Sequence, residues 1–305
     1  MSKVYRNESG YIEMVSDILA HGYAVPDRTG VGSIAMFDGK VVFDTDKVFP
    51  FSTVRPMPLR MAFEELWMFI RGETDTKYLE LKNINFWSGN TSREFLDNRG
   101  LTDLPEGDMG LAYGWQWRNF GGTFGYTKGG QIFGNCGFDQ LQDAYNQLCE
   151  SPHSRRIVTT FWNPLASERM ALTPCWHSHQ WVVLPDLDGV DTLHLKLLNR
   201  SLDSVFGFSF AVQQYALYQK AMAQLLGMKV GKLSCDLTQI HIYENQIEYA
   251  KELVLRDFGE PGEVHINKNL NTLEDLVRLK WEDIEVTNLL VNKKPFKAKR
   301  PPMAV

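Results

Sequence analysis

Thr192-Leu-His-Leu-Lys-Leu-Leu-Asn199 leads directly into Arg200-Ser-Leu-Asp203, and residues 209–226 follow as a run that is apolar nearly all round and stops at Gly227. The first segment reads as a strand, the second as a polar turn, and the third as a central buried helix with a glycine stop. Moving outward, residues 156–162, 179–184 and 233–243 carry the β-branched and aromatic content of further strands. Residues 32–44 alternate in strand fashion. Helical spacing marks residues 10–22 (Tyr11, Met14, Val15, Ile18, Leu19), 58–71 ahead of Gly72, and 138–149 ahead of Pro152. Residues 88–136 are rich in Gly, Asn and Asp and predict loops and short elements. Strands and helices do not alternate regularly, so the expected class is α+β rather than a doubly wound sheet.

The 305 residues contain no repeat and no Gly/Ser/Pro-rich linker, which predicts a single domain over 1–305 with a basic, proline-bearing tail at 293–305. A net charge of −5 argues against a surface that coats nucleic acid, and no nucleic-acid partner is expected. No stretch approaches the ~20 apolar residues of a membrane span, and the N-terminus lacks an apolar leader. The four cysteines, Cys136, Cys149, Cys175 and Cys235, form no C-x-x-C pair, as suits a reducing, cytoplasmic compartment.

Cys175 lies in Met170-Ala-Leu-Thr-Pro-Cys-Trp-His-Ser-His-Gln180, about two dozen residues before Arg200. An ordinary free cysteine is a small buried hydrophobe. A nucleophilic one needs nearby positive charge or donors to favour its thiolate. Arg200 and the pair Arg155-Arg156 are the candidates, and with Arg28 they are the groups able to grip a phosphate through bidentate hydrogen bonds, helped by the Ser201 hydroxyl. Glu64-Glu65 sits in an apolar helix, where neighbours about 100° apart put one carboxylate toward solvent and the other inward, the inward one suited to proton transfer. Asp203 reads as a cap of the turn that follows it. His241 and Tyr243 alternate on one strand and share a face. His177 and His179 also share a side, but without further ligands they predict no metal site.

The ordered strings Asp27-Arg-Thr-Gly30, Ser52-Thr-Val-Arg55, Glu65-Leu-Trp, Phe86-Trp87, Gly107-Asp-Met-Gly-Leu-Ala-Tyr-Gly114, Gln116-Trp-Arg118, Ser154-Arg-Arg156, Trp162-Asn-Pro164, Pro174-Cys175, Gln180, Arg200-Ser-Leu-Asp203, Gly207, Phe210, His241-Ile-Tyr243 and Met303-Ala-Val305 resemble the thymidylate synthase superfamily from about residue 10 to the end. The resemblance implies an α+β homodimer joined through large mixed β-sheets. It implies one-carbon transfer from 5,10-methylenetetrahydrofolate, a co-substrate, to carbon 5 of a deoxypyrimidine monophosphate, with no metal. Cys175 would attack carbon 6 of the ring, Glu65 would run proton transfers through water, and Tyr113 would help remove the carbon 5 proton, with Asp203 also among the catalytic groups. Arg28 and Arg200, with Arg155 and Arg156 of the other subunit and Ser201, would hold the phosphate. Gln180, Ala211, His241 and Tyr243 would face base and sugar. Trp87, Leu172, Asp203, Gly207 and Phe210 would shape the folate site, and Val305 would close over it.

Departures from the family pattern set the expected subtype. Trp176 stands where the pattern has His after the nucleophile, Ala211 where an Asn reads uracil (an Asp reads cytosine in related phage enzymes), and Leu237-Thr-Gln239 where it has Gly-Gly-Asp. The expectation is therefore a phage-type hydroxymethylase of deoxyuridylate or deoxycytidylate that makes a modified DNA base, with Gln213, Gln214 or Gln239 supplying the base contact. The alternatives are a divergent thymidylate synthase, a deoxycytidylate methyltransferase and, lowest, a non-catalytic nucleotide-binding paralogue.

Overall fold

The expected buried helix forms as Gly207–Leu226 and ends on Gly227, whose left-handed backbone (φ 65°) lets its N–H reach the carbonyls of Ala223 and Gln224. The structure, a computed structural model, describes residues 3–26, 30–126 and 132–301. In chain order the elements begin β1 (Val4–Arg6), α1 (Asn7–His21), β2 (Tyr23–Val25), β3 (Ser33–Phe43) and α2 (Leu59–Ile70). Next come α3 (Lys77–Glu80), α4 (Arg93–Asn98), α5 (Tyr113–Asn119), β4 (Thr123–Tyr126), β5 (Ile132–Asn135), α6 (Gln140–Glu150) and β6 (Val158–Thr160). The last are β7 (Trp176–Pro185), β8 (Asp191–Asn199), β9 (Leu202–Asp203), α7 (Gly207–Leu226), β10 (Lys229–Tyr243), α8 (Ile247–Leu253), β11 (Glu263–Ile266), α9 (Leu273–Val277) and β12 (Ile284–Thr287). The described residues form two compact units, one of those up to Phe63 with those from Gln180 to 301, the other of those between Glu64 and His179.

The first unit is built on a mixed sheet in the order β1-β3-β10-β8-β7, with β2 added to β3 and β9 to β10. β10 is its spine. It runs antiparallel to β3 and parallel to β8 and β9, and His241 stands opposite both Ala35 and Asp203. On β8 the alternation is strict: Leu193, Leu195, Leu197 and Asn199 are buried, while the residues between them are half-exposed. α7 packs on β8, β9 and β10. Gln219, midway along α7, donates to the Leu193 carbonyl at 2.8 Å, and Trp181 of β7 meets Tyr218 edge to face at 5.1 Å. The helix is apolar all round because helix and sheet leave it almost no solvent face.

The last segment of the first unit is tied down by side chains that sequence periodicity does not reveal. Arg256 donates to the carbonyls of Val54, Asn292 and Lys294. Phe296 stacks on Tyr249 at 3.9 Å, and Glu252 accepts from the N–H groups of Lys297 and Ala298. The start of the basic, proline-bearing tail is thus fixed through residue 298; residues 302–305 lie outside the described part.

The second unit holds the Gly- and Asn-rich stretch, which resolves into α3, α4, α5 and the antiparallel hairpin β4–β5. Trp67, Trp117 and Phe161 are among its fully buried side chains. Arg118 bonds the Asp139 carboxylate at 2.9 Å and the Ile70 carbonyl at 3.0 Å, while Asp139 caps α6 by accepting from Gln142 N–H. His179 lies against Trp117 and Phe161, each at 5.6 Å, and this burial pushes its pKa from 6.5 down to about 3.

A base with a lowered folded pKa binds fewer protons in the native state than in the unfolded state. Its contribution is intact above about pH 6.5 and is lost as pH falls toward 3. His179 is expected to account for about 2 kcal/mol of lost stability between pH 7 and pH 5. Urea unfolding of His179→Phe at both pH values checks this; an unchanged pH slope would show that the burial of His179 is not its source.

Candidate active site

Cys175 is half-buried at the head of β7, in the second unit, and its backbone N–H donates to the Tyr113 hydroxyl at 2.8 Å. Tyr113 opens α5. Its ring stacks on Phe69 at 5.1 Å with planes 16° apart and leans on Phe161 at 5.9 Å. The phenol is therefore held by two aromatic walls and by the peptide that carries the thiol. Of the other cysteines, Cys136 and Cys149 are exposed, and Cys235 is a buried thiol whose pKa burial pushes up. A thiolate nucleophile is thereby disfavoured at Cys235.

Both carboxylates of Glu64-Glu65 are buried, so the expectation that one faces solvent is corrected. Glu64 receives the Lys82 ammonium and the Tyr78 hydroxyl, both at 2.8 Å, which makes its burial affordable. Glu65 accepts the Trp87 indole N–H, and Trp87 in turn meets Phe69 at 6.4 Å. Glu65, Trp87, Phe69, Tyr113 and the Cys175 peptide thus form one linked set in the second unit. Leu172 is half-buried just before the cysteine. Arg155 and Arg156 are exposed in the turn between α6 and β6, with Arg156 N–H on the Ser154 hydroxyl at 3.2 Å.

The first unit carries the other expected group. Arg200 and Ser201 are half-exposed in the bend between β8 and β9. Asp203 is the cap anticipated for it: its Oδ1 accepts from the N–H groups of Val205 (2.9 Å) and Phe206 (3.1 Å), and its Oδ2 accepts from Gln246 at 3.3 Å. Arg55 braces the same turn. It is buried, donates to the Val205 carbonyl and to the Ser209 hydroxyl (3.1 Å), and lies 5.0 Å over the Phe206 ring. Nothing in the sequence assigned Arg55 this task, although Pro56 and Pro58 behind it mark an extended segment. His241 and Tyr243 do share a face, with rings 4.9 Å apart and near perpendicular. Gly207 and Phe210 are half-exposed in the first turn of α7, and Ala211 behind them is buried. Gln180 is half-buried on β7. Arg28 and Val305 lie outside the described residues. Among the described residues no group of three or more His, Cys, Asp or Glu side chains is arranged to hold a metal ion, and no helix is long and apolar enough to cross a membrane.

The second unit of this α+β chain thus sets a half-buried cysteine, the peptide of which is bonded to a fixed phenol, beside a buried carboxylate. The family model described as thymidylate synthase matches residues 9–299. The thymidylate synthase of Ascaris suum is 34% identical over 275 residues, covering 90% of this chain and 91% of that protein. The thymidylate synthase of Candida albicans is 34% identical over 294 residues, covering 92% and 93%. The bifunctional dihydrofolate reductase-thymidylate synthase of Leishmania major is 37% identical over 246 residues, which span 80% of this chain and 46% of that longer protein. The chain belongs to the thymidylate synthase family. It is an enzyme of one-carbon transfer, which sets aside the non-catalytic paralogue.

The cap at Asp203 gives a stability prediction independent of turnover. Asp203→Ala is expected to lower the unfolding free energy by about 0.5–2 kcal/mol, whereas Asp203→Asn keeps an acceptor for the two N–H groups and stays close to the parent. Urea titration decides; equal stability of all three proteins would mean that the carboxylate does not hold the turn.

Proposed function

We propose that this chain methylates deoxyuridylate at carbon 5 to give thymidylate, taking the carbon from 5,10-methylenetetrahydrofolate. The observation that carries the reading is the Cys175 peptide bonded to the Tyr113 hydroxyl, within a chain that matches the family over residues 9–299. Relatives named as thymidylate synthases support methylation over the hydroxymethylation expected from the sequence.

In this reading the Cys175 sulfur bonds to carbon 6, and the displaced π pair makes carbon 5 nucleophilic. The folate supplies the one-carbon unit and the hydride that reduces it. Tyr113 takes part in removing the carbon 5 proton, its phenol oriented by Phe69 and by the Cys175 N–H. Loss of the sulfur from carbon 6 restores the ring and frees the thiolate. Glu65, buried against Trp87, relays protons to the ring oxygen through water.

In this reading each assigned residue has chemistry suited to a flat bicyclic folate ring. Trp87 has its N–H engaged by Glu65, so its face remains for stacking, and Asp203 keeps lone pairs on Oδ2 for a ring N–H beside the single long bond from Gln246. Leu172, Gly207 and Phe210 complete the assignment, with Val305 as a closing residue. Arg28, Arg200 and Ser201 hold the phosphate, His241 and Tyr243 the sugar hydroxyl, and Gln180 faces the base. Two copies pair through the open sheet face and lend each other Arg155 and Arg156, in the cytoplasm. The chain works as one catalytic domain over 1–305.

Hydroxymethylation is a second reading, favoured by one observation: Ala211 brings no polar atom to the place where the family pattern has an amide. Separate reactions with deoxyuridylate and deoxycytidylate, each with the folate donor, discriminate by mass spectrometry. Thymidylate with dihydrofolate is expected; a hydroxymethyl nucleotide with tetrahydrofolate establishes the second reading, and 5-methyldeoxycytidylate a methyltransferase of the other base. Cys175→Ser is expected to lose about 10⁴-fold or more in turnover. An active Cys175→Ser protein, or no tritium release from carbon 5 in the parent, overturns the reading.

A further inference from the structure

β8 ends on Asn199, a side chain 1% exposed whose Nδ2 and Oδ1 both lack a hydrogen-bond partner. A buried carboxamide with both ends open is costly, and such groups are held in reserve for a ligand or water. By strand alternation Asn199 faces the same way as Leu193, Leu195 and Leu197, onto the side where α7 packs. Gln219 marks the level of Leu193, since it donates to that carbonyl. From Leu193 to Asn199 the strand advances about 20 Å. The chain re-enters at Gly207 and runs back along the sheet, and about 20 Å of helix is roughly 13 residues. Asn199 therefore lies level with the start of α7 at Gly207, about 6 Å of helix before Ala211. Arg200 and Ser201 follow it directly.

We infer that Asn199 reads the Watson–Crick edge of the pyrimidine in this enzyme, with a carboxamide free to turn and so able to pair with uracil or cytosine. This rests on the proposed function and names the base contact it leaves open. Uracil offers a donor at N3 and an acceptor at O4; cytosine offers the reverse pair at N3 and N4. A primary amide matches either by exchanging its oxygen and nitrogen. The three glutamines expected to do this are less suited. Gln213 donates to the Ser209 carbonyl at 3.0 Å, which anchors its amide in one orientation with Oε1 without a partner. Gln214 donates to the Ala62 carbonyl at 3.2 Å, and Gln239 is exposed on β10. Ser204 has a buried open hydroxyl but a single oxygen, which cannot span both positions of the base edge.

Calorimetric binding to the full chain tests this without turnover, using deoxyuridylate, deoxycytidylate and deoxyribose 5-phosphate, which has no base. The parent is expected to bind both nucleotides within about tenfold of each other. Asn199→Asp, which when ionised can only accept and so opposes one acceptor in either base, is expected to weaken both nucleotides by about tenfold or more. Asn199→Leu is expected to weaken both nucleotides, and the sugar phosphate should bind all three proteins alike. Unchanged nucleotide affinities in both variants overturn the inference. So does an equal loss for the sugar phosphate, which would mean that the residue only supports the fold. A parent that binds the sugar phosphate and both nucleotides but forms no product contradicts the proposed function alone, and leaves the Asn199 comparison to be read from binding.

Discussion

The turn from β9 into α7 depends on two opposite charges. The Asp203 carboxylate takes the N–H groups of Val205 and Phe206, and the Arg55 guanidinium takes the Val205 carbonyl and the Ser209 hydroxyl. Between them they satisfy backbone groups that would otherwise be stranded where a strand stops and a helix begins. This turn lets a 20-residue helix fold back along β8, and it fixes the bend that carries Arg200 and Ser201. The bend with Arg200 and Ser201, the cap and the helix start are thus properties of one short segment.

The second unit solves a different problem, that of keeping ionisable groups out of water. Glu64 is stabilised by Lys82 and Tyr78, and Glu65 by Trp87, so two adjacent carboxylates are buried by different means. Tyr113 is fixed by stacking on Phe69 and by the main-chain N–H of Cys175.

The long elements were legible because their signals are local. α7 needed only its apolar composition and Gly227, and β3, β8 and β10 were visible from side-chain character. Boundaries were less so: Arg156, Ile157, Phe161 and Trp162 were expected in a strand that spans only Val158–Thr160. The hairpins β4–β5 and β11–β12 were not seen, since four-residue strands offer too little alternation to stand out from loops. The burial of Glu64 was illegible for another reason: its partners Tyr78 and Lys82 are 14 and 18 residues away, and no periodicity links them. Resemblance supplied the roles of Cys175, Tyr113 and Asp203, and the structure adds what holds each of the three in place. The residues that departed from the family pattern pointed to hydroxymethylation, while the relatives are named thymidylate synthases. Single substitutions near a site carry less weight than a match across residues 9–299.

The central claim is that the Cys175 sulfur becomes covalently joined to carbon 6 of the nucleotide. Intact-protein and peptide mass spectrometry after incubation with 5-fluorodeoxyuridylate and methylenetetrahydrofolate reads this directly, because fluorine at carbon 5 cannot leave as a proton does and the adduct persists. The account predicts a mass gain equal to nucleotide plus folate, located on the peptide that contains Cys175. No adduct, or one on Cys136, Cys149 or Cys235, would contradict it.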